Sequence, residues 1–473
     1  MHWLIWTGVA IAVEGLALGM AVHSVMRGRT AQGTVAWTMS LIFLPWLALP
    51  LYLVLGDRKF SGYVRAKTKG AEELDKIAKV LKQALLPFAP HETKIASSTL
   101  ALEKLAHLPF TRGNQVDLLI NGKATFDALI QAIDEATSYV IVEFYIFRDD
   151  GVGRRLHASL LNARKRDVRV YLLYDEFGSY SLPSSYLKAL TDAGCECSGF
   201  RTTPRKRRPF RINFRNHRKI VVVDGSVALV GGHNVGDEYL SLHKKLTPWR
   251  DTHVAIRGPA VQCVQMAFLE DWFWATRKVP ELDWQPQAAK NGDTIVLIAP
   301  SSPADEIDTC SLLFTQIATS AKKRLWFASP YFVPDESLTS ALQLAGLRGA
   351  DTKVIIPDLA DRLGPKLSSF TFYDELFPAG VKLYRYQHGF THQKVAVADD
   401  VTCVGTANLD NRSFRINFEI TAVVADAEFA AQAAEMLAND LQQSRAVERT
   451  EFRDKPFWFR FACRLSRLMS PLQ

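Results

Sequence analysis

Two stretches of this chain carry the same spacing of three chemically active residues, and that repetition constrains the fold more than any other feature. The first is N-H-R-K-I-V-V-V-D-G, Asn216–Gly225; the second is T-H-Q-K-V-A-V-A-D-D, Thr391–Asp400. In each, His and Lys lie two apart and Asp five beyond the Lys: His217, Lys219, Asp224, then His392, Lys394, Asp399. The apolar run behind the first pair reads as a buried strand. Side chains alternate faces along a strand, so a His and a Lys at i and i+2 project the same way. A neutral imidazole beside a fixed ammonium suits attack on a phosphodiester: one is a nucleophile, the other holds phosphate oxygens.

The surroundings repeat as well. V-D-L-L-I-N-G from Val116 reads as strand and turn, T-F-D-A-L-I-Q-A-I-D-E-A as an amphipathic helix, and Y-V-I-V-E-F-Y-I-F as a buried strand. Arg154–Arg164 reads as a helix and V-R-V-Y-L-L-Y-D as a further strand. The order restarts near Thr294 with T-I-V-L-I-A, a helix through Leu312–Ala321, R-L-W-F-A-S-P-Y-F, a helix from Ser337 and T-K-V-I-I-P. One duplication, with too few copies for a solenoid, predicts an α/β fold of two units related by a pseudo-twofold. They occupy residues 106–285 and 286–452, with an aromatic core helix at Phe268–Thr276 and loop residues at Pro280–Asp293.

Each stretch has the same sequel. Asp224-Gly225 signals a hairpin turn, and the return strand ends in Gly231-Gly232-His233-Asn234. The second copy returns to Gly405-Thr406-Ala407-Asn408. Asn234 and Asn408 would bring amide donors to the phosphate. Further on, W-R-D-T-H-V supplies Asp251 and N-F-E-I-T-A supplies Glu419. A carboxylate on the far ring nitrogen of each His fixes the tautomer and stabilises the imidazolium. Taken copy by copy, Asn234 and Asp251 are the partners of His217.

The ends of the chain point to lipid. Leu4–Val22 is apolar apart from Glu14, and Val35–Leu55 carries no charge; each is long enough to cross a hydrocarbon core. No Lys or Arg precedes Arg27, which argues against a cleaved signal peptide and for two transmembrane helices within residues 1–58. Trp3, Trp6, Trp37 and Tyr52 suit interface anchors, Glu14 should face the partner helix, and Pro45 and Pro50 should kink the second span. Arg27 and Arg29 flank the short connection, whereas Arg58, Lys59, Arg65, Lys67 and Lys69 follow the second span, which predicts a cytoplasmic catalytic region. Residues 59–105 read as a charged helical connector. Residues 453–473 read as an amphipathic helix whose Arg460, Arg464 and Arg467 share one face, fitting a membrane interface, with docking on the core as the alternative. The net charge of +8 suits an anionic partner. The eight basic residues of Arg201–Arg218 would gather anionic headgroups, although a nuclease would want the same patch. The six cysteines are scattered and complete no zinc set, so they read as structural or incidental.

Together these residues resemble the phospholipase D superfamily, whose signature H-x-K-x4-D is followed by Gly, a small residue, any residue and Asn, twice per active site. Within it the chain is most similar to the bacterial cardiolipin synthases. The likeness runs from A-W-T-M-S-L-I-F-L-P through Y-I-F-R-D-D-G-V-G-R, R-I-N-F-R-N-H-R-K-I and P-W-R-D-T-H to L-D-N-R-S-F-R-I-N-F-E-I and R-L-S-R-L-M-S-P-L. The second hairpin is one residue shorter than the first, and His233 stands where the family usually has an apolar or neutral residue; it reads as a bystander. The resemblance implies an inner-membrane, multi-pass enzyme that needs no metal or cofactor, acts on phosphatidylglycerol and binds no nucleic acid. By family analogy His217 attacks phosphorus while His392 protonates the departing glycerol and then activates a second phosphatidylglycerol; the near-identical motifs do not themselves assign the nucleophile. Lys219, Lys394, Asn234 and Asn408 would hold phosphate oxygens. Asp224 and Asp399 belong to the signature, but their turn position favours a structural role. A phospholipase D using water or another alcohol, and a membrane-tethered nuclease, are the alternatives.

Overall fold

The computed structural model describes residues 2–28, 31–56, 71–90, 97–200, 214–242 and 245–470. They divide into an amino-terminal helical unit and a catalytic unit, each considered by itself.

In the amino-terminal unit, α1 (His2–Arg27) is the one helix among the described residues long and apolar enough to cross a membrane. The expected second span is not one helix. It divides into α2 (Ala31–Phe43) and α3 (Pro45–Leu55), because Leu44 leaves helical geometry at φ −133° and ψ 53°. Pro45 has no N–H to continue the ladder and its ring disfavours helix at the residue before it, whereas Pro50 is accommodated inside α3. Ala17, Ala21, Leu41, Ala48, Leu49 and Tyr52 pack the three helices together. Tyr52 is therefore no interface anchor: it is buried, its hydroxyl 2.9 Å from His23 Nδ1. Glu14 lies on the exposed side of α1, contrary to expectation. Arg29, Arg58, Lys59, Arg65, Lys67 and Lys69, which carried the orientation argument, lie outside the described residues.

The catalytic unit is built on one sheet. Its first half contributes β1 (Thr111–Ile120), β2 (Tyr139–Phe144), β3 (Arg169–Asp175), β4 (Glu196–Phe200), β5 (Ile220–Val223), β6 (Val227–Gly231) and β7 (Thr252–Arg257). The second contributes β8 (Thr294–Ser301), β9 (Arg324–Ala328), β10 (Asp351–Pro357), β11 (Lys382–Tyr386), β12 (Val395–Ala398), β13 (Val401–Gly405) and β14 (Asn417–Ala425). From the centre outwards the first half runs β1-β7-β6-β5-β2-β3-β4 and the second β8-β14-β13-β12-β9-β10-β11. The halves join where β1 pairs antiparallel with β8, Thr111 opposite Val296. The orders match until the second half adds an edge strand, Ser444–Ala446, beyond β11, and they express the duplication read from the sequence as one continuous sheet. Strand β2, buried along its whole length with Glu143 its one charged residue, lies under helices, among them Gly151–Lys165, whose first turn is capped by the Asp150 carboxylate.

Two ends of the unit carry more than expected. Helix Ser97–Ala106, within the supposed connector, packs Leu102 and Ala106 into the second half's core. Helix Phe457–Leu468 docks on that core through Cys463 and Phe459, and Ser466 Oγ lies 2.9 Å from both Ser368 Oγ and the Gly364 carbonyl oxygen. Its other face leaves Phe457, Trp458 and Leu468 at least 69% exposed. Docked helix and apolar outward face are thus both present.

Candidate active site

Each signature His directly follows a two-residue strand that pairs with the opposite half. Arg215–Asn216 runs parallel to the start of β14, Phe418 opposite Asn216, and the His217 N–H donates to the Phe418 carbonyl at 2.9 Å. Phe390–Thr391 runs parallel to Trp249–Arg250, and the His392 N–H donates to the Arg250 carbonyl at 2.7 Å. This crosswise pairing places each acid beneath the other half's His. His217 Nδ1 lies 2.9 and 3.0 Å from the two Glu419 oxygens, and His392 Nδ1 lies 2.7 Å from Asp251 Oδ2. The pairing of Asp251 with His217 expected from sequence order is therefore corrected. Neighbours in sequence serve opposite histidines because the two strand segments cross between halves.

The acids are held differently. Glu419 also accepts from Thr406 Oγ1 at 2.6 Å and Asn417 Nδ2 at 3.0 Å. Asp251 accepts from the Thr252 N–H at 2.9 Å. Where the second half has Thr406 the first has Gly232, and a Cβ there would lie 2.0 Å from Asp251 Oδ1. Burial opposes ionisation of both acids, yet Lys394 and His392 hold Asp251, and His217 and Lys219 hold Glu419, below the usual carboxylate range. A carboxylate on Nδ1 leaves Nε2 of each ring as the atom able to attack or move a proton.

Burial pushes His217 down to about 4 and lowers His392, so both rings are neutral at pH 7. Only 9% and 8% of the two residues reach solvent, a narrow opening at a buried site. Lys219 Nζ donates to its own His217 carbonyl at 2.6 Å, and Lys394 Nζ lies 2.8 Å from His392 Nδ1. Burial lowers the two ammonium groups to about 7 and about 8. A phosphate anion between them would favour their charged forms again.

The remaining predicted residues divide. Asn234 accepts from the Ile146 N–H at 3.1 Å and donates to Tyr239 Oη at 2.7 Å, so its amide already ties the loop together. Asn408 is less committed: its buried Oδ1 has no partner among the described residues. Asp224 and Asp399 are removed from the chemistry. Asp224 accepts from the N–H groups of Thr137, Ser138 and Tyr139, each at 2.8 Å, and Asp399 from those of Lys322, Lys323 and Arg324. Both sit in left-handed turns at φ 49° and 52°, pinning the starts of β2 and β9, about 16 Å of strand from the lysines. His233 is buried against His253, their Nδ1 atoms 3.0 Å apart; burial lowers it to about 4 and leaves it neutral.

Sequence reasoning missed the buried pairs that brace the two strand segments. Arg250 binds Asp440 through two contacts of 2.8 and 3.0 Å, and Arg218 Nη1 binds Asp271 at 2.8 Å. The visible signal was an acid on the apolar face of a helix, at Asp271 in Ala260–Thr276 and Asp440 in Ala427–Gln442, since such charges stay buried only when paired. Arg218, counted in the basic patch, is thus a core residue, and residues 201–213 of that patch lie outside the described residues. The rings of Tyr145 and Trp249, each 5.1 Å from a signature imidazole (His217 and His392 respectively), were also unforeseen. The six cysteines are unbridged, and burial raises the thiol of each.

A family profile described as "Cardiolipin synthase, PLD-like domain" matches residues 129–272 and 314–441. The chain is 45% identical over 466 residues to cardiolipin synthase A of Pseudomonas putida, covering 97% of this chain and 96% of that one. It is 41% identical over 465 residues to cardiolipin synthase A of Pseudomonas syringae, with 97% and 96% covered. Among solved structures, a phosphatidylserine synthase of Haemophilus influenzae superposes with a TM-score of 0.62 at 15% identity, covering 80% of this chain and all of that one.

Proposed function

Since the chain belongs to the cardiolipin synthase family of phospholipase D-like enzymes, we propose how its own residues move a phosphatidyl group from one phosphatidylglycerol to another. It is a phosphatidyltransferase of phospholipid biosynthesis that yields cardiolipin and glycerol. The single observation that carries the mechanism is the crosswise pairing of two neutral histidines with two ionised acids.

His217 Nε2 attacks phosphorus; a phosphorus–nitrogen bond forms as the bond to the headgroup glycerol breaks. A proton from His392 Nε2 goes to the departing oxygen, a role that requires His392 to be protonated when the donor is bound. The donor's phosphate anion favours that form, and Asp251 stabilises the resulting imidazolium. The second phosphatidylglycerol then presents its terminal hydroxyl. His392 takes that proton, the oxygen bonds to phosphorus, and the bond to His217 breaks. Glu419 keeps the His217 proton on Nδ1 throughout. Lys219 and Lys394 oppose the charge gathering on the phosphoryl oxygens, aided by Asn408 and, through its second amide hydrogen, Asn234.

The enzyme works at a membrane. Its anchor is α1 together with the broken pair α2 and α3, making it multi-pass, with the catalytic unit on the cytoplasmic side of the inner membrane. The outward Phe457, Trp458, Phe461, Leu465 and Leu468 give the catalytic unit its own lipid contact.

Purified full-length protein with phosphatidylglycerol in detergent and EDTA should release glycerol and form cardiolipin. Phosphatidic acid as the only product would make it a phospholipase. Cleavage of DNA with no lipid turnover would overturn the reading.

A further inference from the structure

Asn216 and Arg218, the residues on either side of His217, are tied into one buried polar cluster, and one member of it takes no part in the transfer. Glu143 lies on β2, opposite Ile220 at the start of β5, and is buried. Its Oε1 accepts from Asn216 Nδ2 at 2.5 Å, and the same nitrogen donates to Asp271 Oδ2 at 3.0 Å. Asn216 is fixed at its other atoms too. Its N–H donates to Asp175 Oδ2 at 2.9 Å, its Oδ1 accepts from the Arg218 N–H at 3.1 Å, and it stands opposite Phe418 across the halves. Arg218 Nη1 reaches Asp271 at 2.8 Å. The amide of Asn216 thus staples the two neighbours of His217, and two carboxyl groups hold the amide.

Those two acids meet different surroundings. Asp271 faces a guanidinium group. Glu143 Oε2 meets no N–H or O–H donor among the described residues, although it is buried. An ionised Glu143 would keep that oxygen unsolvated beside a second anion, the arrangement a buried carboxyl avoids by keeping its proton. With a proton on Oε2 the cluster closes. The O–H has Asp271 within hydrogen-bond reach, and Oε1 still accepts from Asn216. Burial and then Asp271 accordingly raise Glu143 far above the usual carboxylate range, with Arg218 opposing them. Asp175, the acid at the end of β3 that faces the same amide, is pushed up to about 6 by burial.

The second half has no counterpart to Glu143. Ala328 holds its position, opposite Val395 at the start of β12. There Thr391 and Gln393 stand in place of Asn216 and Arg218, and Gln393 Nε2 lies 3.1 Å from Thr391 Oγ1 and 2.9 Å from Asp440 Oδ2. One buried acid braces the segment of His392, whereas two brace that of His217. The added acid therefore belongs to the half whose histidine bonds to phosphorus.

We propose that Glu143 is a positioning residue that works as a neutral acid: its O–H donates to Asp271, its carbonyl oxygen accepts from Asn216, and together they hold His217 against Glu419 while the ring gains and loses the phosphoryl group. The positioning role rests on the transfer reading; the retained proton does not.

The test uses full-length protein in phosphatidylglycerol micelles. Glutamine offers the same acceptor and donor as a neutral glutamic acid and cannot stand in for an ion. Glu143→Gln should therefore keep cardiolipin formation within about threefold of wild type, whereas Glu143→Ala should lower kcat at least about tenfold with little change in KM. Nitrogen-15 spectra of the alanine variant should show the His217 ring disturbed and His392 unchanged. The infrared difference between wild type and Glu143→Gln at neutral pH should contain the carbonyl band of a protonated carboxyl. A glutamine variant as impaired as the alanine one, or no such band, would overturn the neutral acid, and these two readouts decide even if the alanine variant does not fold. Equal disturbance of both histidines would overturn the positioning role. A wild type that shows the band and makes no cardiolipin would refute the transfer reading instead.

Discussion

The two half-sites share a motif but not a setting. His217 sits on Glu419, which Thr406 and Asn417 also hold, beside Tyr145. His392 sits on Asp251, which has room only because position 232 is glycine, and its neighbours are Trp249, Phe390 and Tyr239. Duplication supplied two equal copies of the His and Lys; the surrounding side chains have since diverged around them. Equal letters in the signature therefore do not mean equal jobs, and the difference lies in residues outside it.

The largest effects test whether both halves are needed at all. His217→Ala and His392→Ala should each lower cardiolipin formation by at least about 10³-fold, consistent with loss of an essential nucleophile or acid–base group. Near-normal rates in either variant would break the composite site. Replacing the acids comes next: Glu419→Gln and Asp251→Asn should each cost about 10²–10⁴-fold in kcat through the wrong imidazole tautomer. Nitrogen-15 spectra of the labelled histidines sharpen this. Glu419→Gln should disturb the His217 ring and leave His392 unchanged, and Asp251→Asn the reverse; the opposite pattern would undo the crosswise assignment.

Smaller changes probe the unequal support of the two acids. Gly232→Ala should cost about a hundredfold in kcat, because its methyl lands against Asp251 Oδ1, whereas Thr406→Gly should cost about tenfold, the loss of one hydrogen bond to a charged acceptor. Equal losses would show that the halves tolerate the same residue. Least affected is His233→Ala, which installs the residue the second half has at Ala407; activity should change less than about threefold. Its signature is pH. The folded ring is lowered to about 4 from an ordinary 6.5, so the unfolded chain binds the proton more readily. Its contribution to stability is present above pH 6.5 and is lost as pH falls towards 4. The variant's Tm should therefore decline less than the wild type's between pH 6.5 and 4.5, and an unchanged decline would remove His233 from the account.

The candidate residues were legible because each lies in a short local pattern: the two-residue spacing set His217 with Lys219, and turn chemistry foretold the structural place of Asp224. Their partners were not. Glu419 meets His217 across 202 residues, and no periodicity reports which of two equivalent acids a ring will find. Asp271, Asp440 and Tyr145 act through contacts that exist only after the halves close. In the amino-terminal unit the reverse occurred. Composition suggested one continuous span kinked at Pro45 and Pro50, yet Pro45 divides it outright, with α2 ending at Phe43, because hydropathy counts apolar residues and not backbone donors.

The crossed acids also bear on how the protein is made. During synthesis the first half emerges with His217, Lys219 and Asp251 in place, but the carboxylate for its own histidine is not yet translated. A chain stopped before Glu419 has neither a complete pair at His217 nor the β14 strand that carries it. On the mechanism proposed above, the site is therefore incomplete until translation has passed Glu419.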